Sequence, residues 1–144
     1  MSTNNVSVRI FLEKNLRIND EVKRILELYV QYCSRALSLH DEYKCYLVGD
    51  RKKHNIETTA VCQFELKKIK IFCRGRLLPD VLRSIAHEMF HLKQLESGLH
   101  PKKSDLHFSS ELEDGANEVA GKLLNAFTEV MGHNKVYEKE LESE

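Results

Sequence analysis

The stretch LPDVLRSIAHEMFHLKQLES, residues 78–97, constrains the fold more than any other part of the chain. At about 100° per residue, Leu78, Val81, Leu82, Ile85, Met89 and Leu92 fall on one side of a helix, and His87, His91 and Gln94 fall in a narrow stripe on the other. The first side is a core face. The stripe is flanked by Phe90 and Leu95, so the second side also expects cover. The wheel alone also allows the two histidines to face water; with Phe90 and Leu95 beside them, the expectation is a helix that starts near Pro79 or Asp80 and has something packed near its second side too.

The other elements are readable in outline. VSVRIFL alternates as a strand, and NDEVKRILELYVQYCSRALSL repeats its apolar residues with a helical period behind Asn19 or Asp20 as cap. KCYLVGD and TTAVCQFELKKIKIFCRG are short, β-branched or aromatic, and broken by polar turns, which predicts two or three strands there. SGLHPKKSDLHFS reads as a loop, and a further helix runs from about Ser109 or Ser110 to Val130. The expectation is an α+β chain of 144 residues with one domain over residues 1–132 and a polar, frayed tail over 133–144.

His87 and His91, four apart, are about 40° round and about 6 Å along a helix from each other, so both imidazoles can converge on one zinc ion. Glu88 projects beside the pair, where it can take a proton from a zinc-bound water without occupying a coordination position. A catalytic zinc needs a third protein ligand and an open position. In ELEDGANEVAGKLLNAF and the residues after it, Leu112, Ala116, Val119, Ala120, Leu123, Phe127 and Val130 form the buried stripe, while Glu111, Asp114, Glu118 and Glu129 point away. Glu113 lies at the margin of the apolar face. A carboxylate held toward a core needs a partner, which a zinc ion supplies; the alternative is a rim carboxylate reaching water or a lysine. Ala116 and Ala120 are small enough to let the two helices approach. His100 and His107, in the loop, are alternative ligands or oxyanion stabilisers. Gln94 is a candidate to orient a ligand, and Tyr137 a candidate hydrogen-bond donor to the transition state.

HEMFH followed by ELEDGANEVAGKLL resembles the gluzincin metallopeptidases, and most of all their small ImmA/IrrE-type branch, in which His-Glu-x-x-His is followed by a Glu-x-x-Ala-Asn segment. Here that segment is Glu113, Asp114, Gly115, Ala116 and Asn117, with Ala120 after it. The resemblance runs from the strand before Arg74 to about Leu124. It implies a minimal zincin-like domain: a short mixed sheet beside a backing helix, the His-Glu-x-x-His helix and a Glu-bearing helix. It also implies Zn2+ on His87, His91 and Glu113, with Glu88 as general base and acid. By analogy with the class, TTAVCQFEL is the sheet edge that pairs with an extended peptide or protein substrate. Gly115 stands where that branch often has a further acid, and the helix-turn-helix companion domain is absent, so a repressor-cleaving role does not carry over. The metzincin pattern would need Gly at Gln94 and His at Ser97.

Two further readings compete with a peptidase. A zincin fold can keep its metal as a regulatory or interaction protein without turnover. Glu88 and His91 also form a Glu-x-x-His pair of the di-iron kind, but that architecture needs a second such pair, and the strands before the helix argue against it. Twenty-two basic residues balance twenty-two acidic ones, so no global field gathers nucleic acid or anionic lipid. The chain start has no secretion signal and no apolar run approaches a membrane span, so a cytoplasmic protein without nucleic-acid or membrane partners is expected. Cys33, Cys45, Cys62 and Cys73 form no close pair and read as small core residues in a reducing compartment.

Overall fold

The computed structural model describes residues 8–99 and 108–142. Within them the chain is α+β, a four-stranded mixed sheet with four helices. The strands are β1 (Val8–Leu12), β2 (Tyr43–Val48), β3 (Ala60–Gln63) and β4 (Lys68–Phe72), in the order β1-β2-β4-β3. β1, β2 and β4 are parallel, in register at Ile10, Cys45 and Ile69, and β3 closes one edge antiparallel to β4. A single 3₁₀ turn, Phe64–Leu66, and Lys67 in the left-handed region turn the chain from β3 into β4. The stretch from Thr58 to Gly75 thus holds two strands.

Helix α1 (Asp20–Leu37) starts where Asn19 accepts a hydrogen bond from the Val22 amide, satisfying one of the free donors of its first turn. Helix α2 (Leu78–Glu96) carries Pro79 in its first turn, where the missing amide hydrogen costs nothing. Helix α3 (Ser110–Met131) is capped by the Ser109 hydroxyl. The apolar side of α2 is fully buried, and it joins Val22, Ile25, Leu26 and Tyr29 of α1 and Cys45, Leu47, Ile69 and Ile71 of the sheet in one core. Ala116 and Ala120 of α3 are also fully buried. All four cysteines are free thiols, and Cys33, Cys45 and Cys73 are core residues. Burial pushes the Cys33 and Cys73 thiols up to about 12, so they serve as packing groups.

Two expectations are corrected. Val130 does not belong to the buried stripe of α3: it is 81% exposed, and the stripe ends at Phe127 and Thr128. The segment expected to be a frayed tail is packed. Residues His133–Tyr137 form α4, Leu77 and Glu140 form an antiparallel bridge, and Val136 and Leu141 are fully buried. Arg74 pairs with Glu142 at 3.5 Å, and Lys139 pairs with Glu21. The physical cause is the two isolated apolar side chains, which reach the core beside the start of α2. No helix among the described residues is long and apolar enough to cross a membrane.

Candidate metal centre

The histidine stripe of α2 is covered by α3. His91 is 2% exposed and Gln94 5% exposed, so the stripe is an interior face. Where α3 crosses it, Glu113 reaches across: its Oε1 lies 3.1 Å from Nε2 of His87 and in close contact with Nε2 of His91. The two imidazole Nε2 atoms are 3.1 Å apart. His87, His91 and Glu113 therefore each present a ligand atom to one point, all within 4.8 Å of one another. The Glu113 side chain remains 43% exposed, which opens the point to the cleft.

Hydrogen bonding fixes which nitrogen His91 offers. Nδ1 lies 2.7 Å from Oε1 of Gln94, and the Gln94 amide nitrogen donates to the Leu112 carbonyl at 2.9 Å. With its nitrogen committed to that carbonyl, Gln94 turns its oxygen to His91, so Nδ1 carries the proton and Nε2 keeps its lone pair. Burial, and after it the neighbouring His87, hold the His91 pKa below the ordinary value and favour this neutral form. A lone pair on His91 then faces a carboxylate oxygen and a second imidazole nitrogen. Converging acceptors of this kind are stable only around a proton or a cation, and two imidazoles with a carboxylate suit zinc.

Glu88 occupies a different environment. It is buried, with Oε2 3.9 Å from His87 Nε2, and it is outside the converging set. Burial first, and the negative charge of Glu113 second, push its carboxyl up to about 8.

The site lies in a cleft of about 900 Å³ between β3, α2 and α3, with Thr58 to Cys62 forming the wall opposite His87 and Asn117. β3 is an edge strand, paired on one side with β4. Three features of the cleft were not foreseen from sequence. Phe108 stacks on the His91 ring at 3.7 Å with planes 12° apart. Arg83, one turn before His87, lines the cleft with its guanidinium against Gly121 of α3. Arg76 also lines it, held by Phe72 O at 2.8 Å and the Ser84 hydroxyl at 2.7 Å. Phe108 sits just before the cap of α3, a position where an apolar residue usually packs on its own helix, so periodicity gave no hint of its partner. Gly115 faces Gln94 and Phe90, and a β-carbon there would lie 3.6 Å from the Gln94 amide.

Tyr137 lies on α4, stacked on His133, and is not among the residues lining the cleft. His100 and His107 lie outside the described residues. Compared with protein-family models, curated proteins and solved structures, the chain matches none.

Proposed function

We propose that this chain is a zinc-dependent peptidase of the gluzincin type with a minimal zincin-like fold, acting on a peptide or protein substrate in the cytoplasm. One observation carries the reading: the lone pairs of His87, His91 and Glu113 converge, with Glu88 beside them and outside the set. A bound zinc ion supplies Lewis acidity and makes a water it holds a nucleophile near neutral pH.

The chain's own residues have separable tasks. Gln94 holds His91 in the tautomer that presents Nε2. Phe108 covers one face of that imidazole and keeps water from it. The free edge of β3 pairs with an extended substrate, whose backbone is thereby aligned along the cleft. Glu88 takes the proton of the attacking water and passes it to the leaving amine. Burial raises its proton affinity, and a zinc ion held beside it would favour the ionised carboxylate that accepts the proton.

The test is metal content together with cleavage of a broad peptide library. The expected result is one zinc per chain, and cleavage that is lost in Glu88→Gln while zinc is retained. Zinc-loaded wild type that cuts nothing, yet holds the same protein partner as Glu88→Gln, would replace the peptidase by a zinc-binding regulatory protein.

A further inference from the structure

The sheet has a second face. The core formed with α1, α2 and α3 takes the strand positions Val8, Ile10, Tyr43, Cys45, Leu47, Ile69 and Ile71, and leaves the alternate positions pointing the other way. Read across the paired strands, those outward positions give Arg9, Lys44 and Lys68 in one row and Phe11, Tyr46 and Lys70 in the next. Phe72 follows on β4, with the Arg51 guanidinium 5.0 Å from its ring centre. β3 places Gln63 beside Lys68 and Val61 beside Lys70. No outward position of these four strands carries an Asp or Glu. The even charge balance of the whole chain therefore conceals a cationic face.

Aromatic rings are interleaved with these cations. Phe11 and Tyr46 stack at 5.2 Å with planes 22° apart, and Phe11 is 38% exposed. The Lys44 ammonium lies 5.9 Å from the Phe11 ring centre, and that of Lys68 lies 5.5 Å from the Tyr46 ring centre. Two physical facts set this face apart from an ordinary solvated one. Parallel strands are normally covered on both faces, and here no described helix covers the second. Like charges directly opposite each other on neighbouring strands repel, as Arg9, Lys44 and Lys68 do. Lys70 has its pKa lowered by burial and then by Lys68, as expected where cations crowd. An anionic partner would relieve that repulsion.

We propose that this open face binds single-stranded nucleic acid. Phosphates would draw the lysine ammonium groups off the rings, and the freed faces of Tyr46 and Phe11 would take unpaired bases, which stack on aromatic side chains whatever their sequence. A duplex offers no free base faces to a flat sheet. A membrane surface would need apolar side chains that insert between lipids, and this face has rings lying against each other under lysines. The proposal does not depend on the metal centre, which lies on the α2 side of the sheet.

The experiment is fluorescence anisotropy with labelled oligothymidylate, the matching duplex and phosphatidylserine vesicles, titrated over a range of salt. With Arg9, Lys44, Lys68 and Lys70 each meeting one phosphate, log K should fall against log salt with a slope of about −3. Lys44→Glu/Lys68→Glu/Lys70→Glu should remove about two units of that slope and weaken binding about tenfold or more. Tyr46→Ala should weaken oligothymidylate binding with the slope unchanged. The melting temperature of each variant reports whether it is folded, and the wild-type salt slope needs no variant at all. Three results would overturn the proposal: no oligothymidylate binding at low salt, equal binding of single strand and duplex that ignores Tyr46→Ala, or capture by vesicles in preference to oligothymidylate.

Discussion

Gln94 and His91 are joined by a hydrogen bond of 2.7 Å from imidazole Nδ1 to the amide oxygen, and the other end of the same amide is fixed to the Leu112 carbonyl of α3. One side chain thus sets the tautomer of a candidate ligand and ties the helix of the histidines to the helix of Glu113. The arrangement is of the kind that makes outer partners of metal ligands nearly as important as the ligands.

Gln94→Ala should therefore lower zinc affinity by about 10- to 100-fold, although Gln94 touches no metal. Gln94→Glu keeps an acceptor for Nδ1 and should recover most of that loss. Competition against a chelator of known affinity measures both. Equal affinities for wild type and Gln94→Ala would show that His91 needs no orienting partner.

Removal of metal should destabilise the whole domain, because His87 and His91 sit on α2 and Glu113 on α3. Zinc at about a hundred times its dissociation constant adds about 2.7 kcal/mol, which for a chain of this length raises the melting temperature by roughly 8 °C. His91→Ala should abolish that shift and Glu113→Ala should reduce it. Should Glu113→Ala keep the full shift while His100→Ala or His107→Ala loses it, the third ligand would come from the loop.

The C-terminal segment contributes to the core through Leu141, which is fully buried. Leu141→Ala should cost about 2–5 kcal/mol, the usual range for emptying a buried leucine site. Chain ending at Gly132 would lose Val136 and Leu141 together and should melt lower still. Urea denaturation measures both, and a midpoint equal to wild type would mean that this segment packs without stabilising.

How much of this was legible in the sequence follows from how each feature is encoded. The two faces of α2 and the margin position of Glu113 were readable, since helical period places residues by angle alone. The convergence of His87, His91 and Glu113 needed one further fact, that α3 crosses α2 at the histidines, and the small residues Ala116 and Ala120 pointed to it. Strand order and register were not readable, because which strands pair is decided by crossovers between distant segments. The buried tail was missed because Val136 and Leu141 stand alone among polar neighbours and form no period. The cationic sheet face was missed for a related reason. Arg9, Lys44 and Lys68 are scattered along the chain and become neighbours only once β1, β2 and β4 are in register.

Glu88 makes the pH dependence of the metal-free protein distinctive. Burial, and then Glu113, raise its carboxyl from the ordinary 4.5 to about 8, so the folded chain binds this proton more tightly than the unfolded chain. Below about 4.5 the group is protonated in both states and costs nothing. Between about 4.5 and 8 the unfolded chain has released the proton and the folded chain has not, so this group's contribution to stability falls steadily as pH rises. Above about 8 both states are ionised and the loss is complete, on the order of a few kcal/mol. Glu88→Gln has no proton to release, so its metal-free stability should be flatter across that window and higher than wild type at its alkaline end. Zinc should flatten the wild-type profile as well, since a nearby cation favours the carboxylate. Urea midpoints at a series of pH values, with chelator and with zinc, measure all of this. Parallel profiles for metal-free wild type and Glu88→Gln would mean that Glu88 is ionised at neutral pH without metal, and that burial does not set its proton affinity.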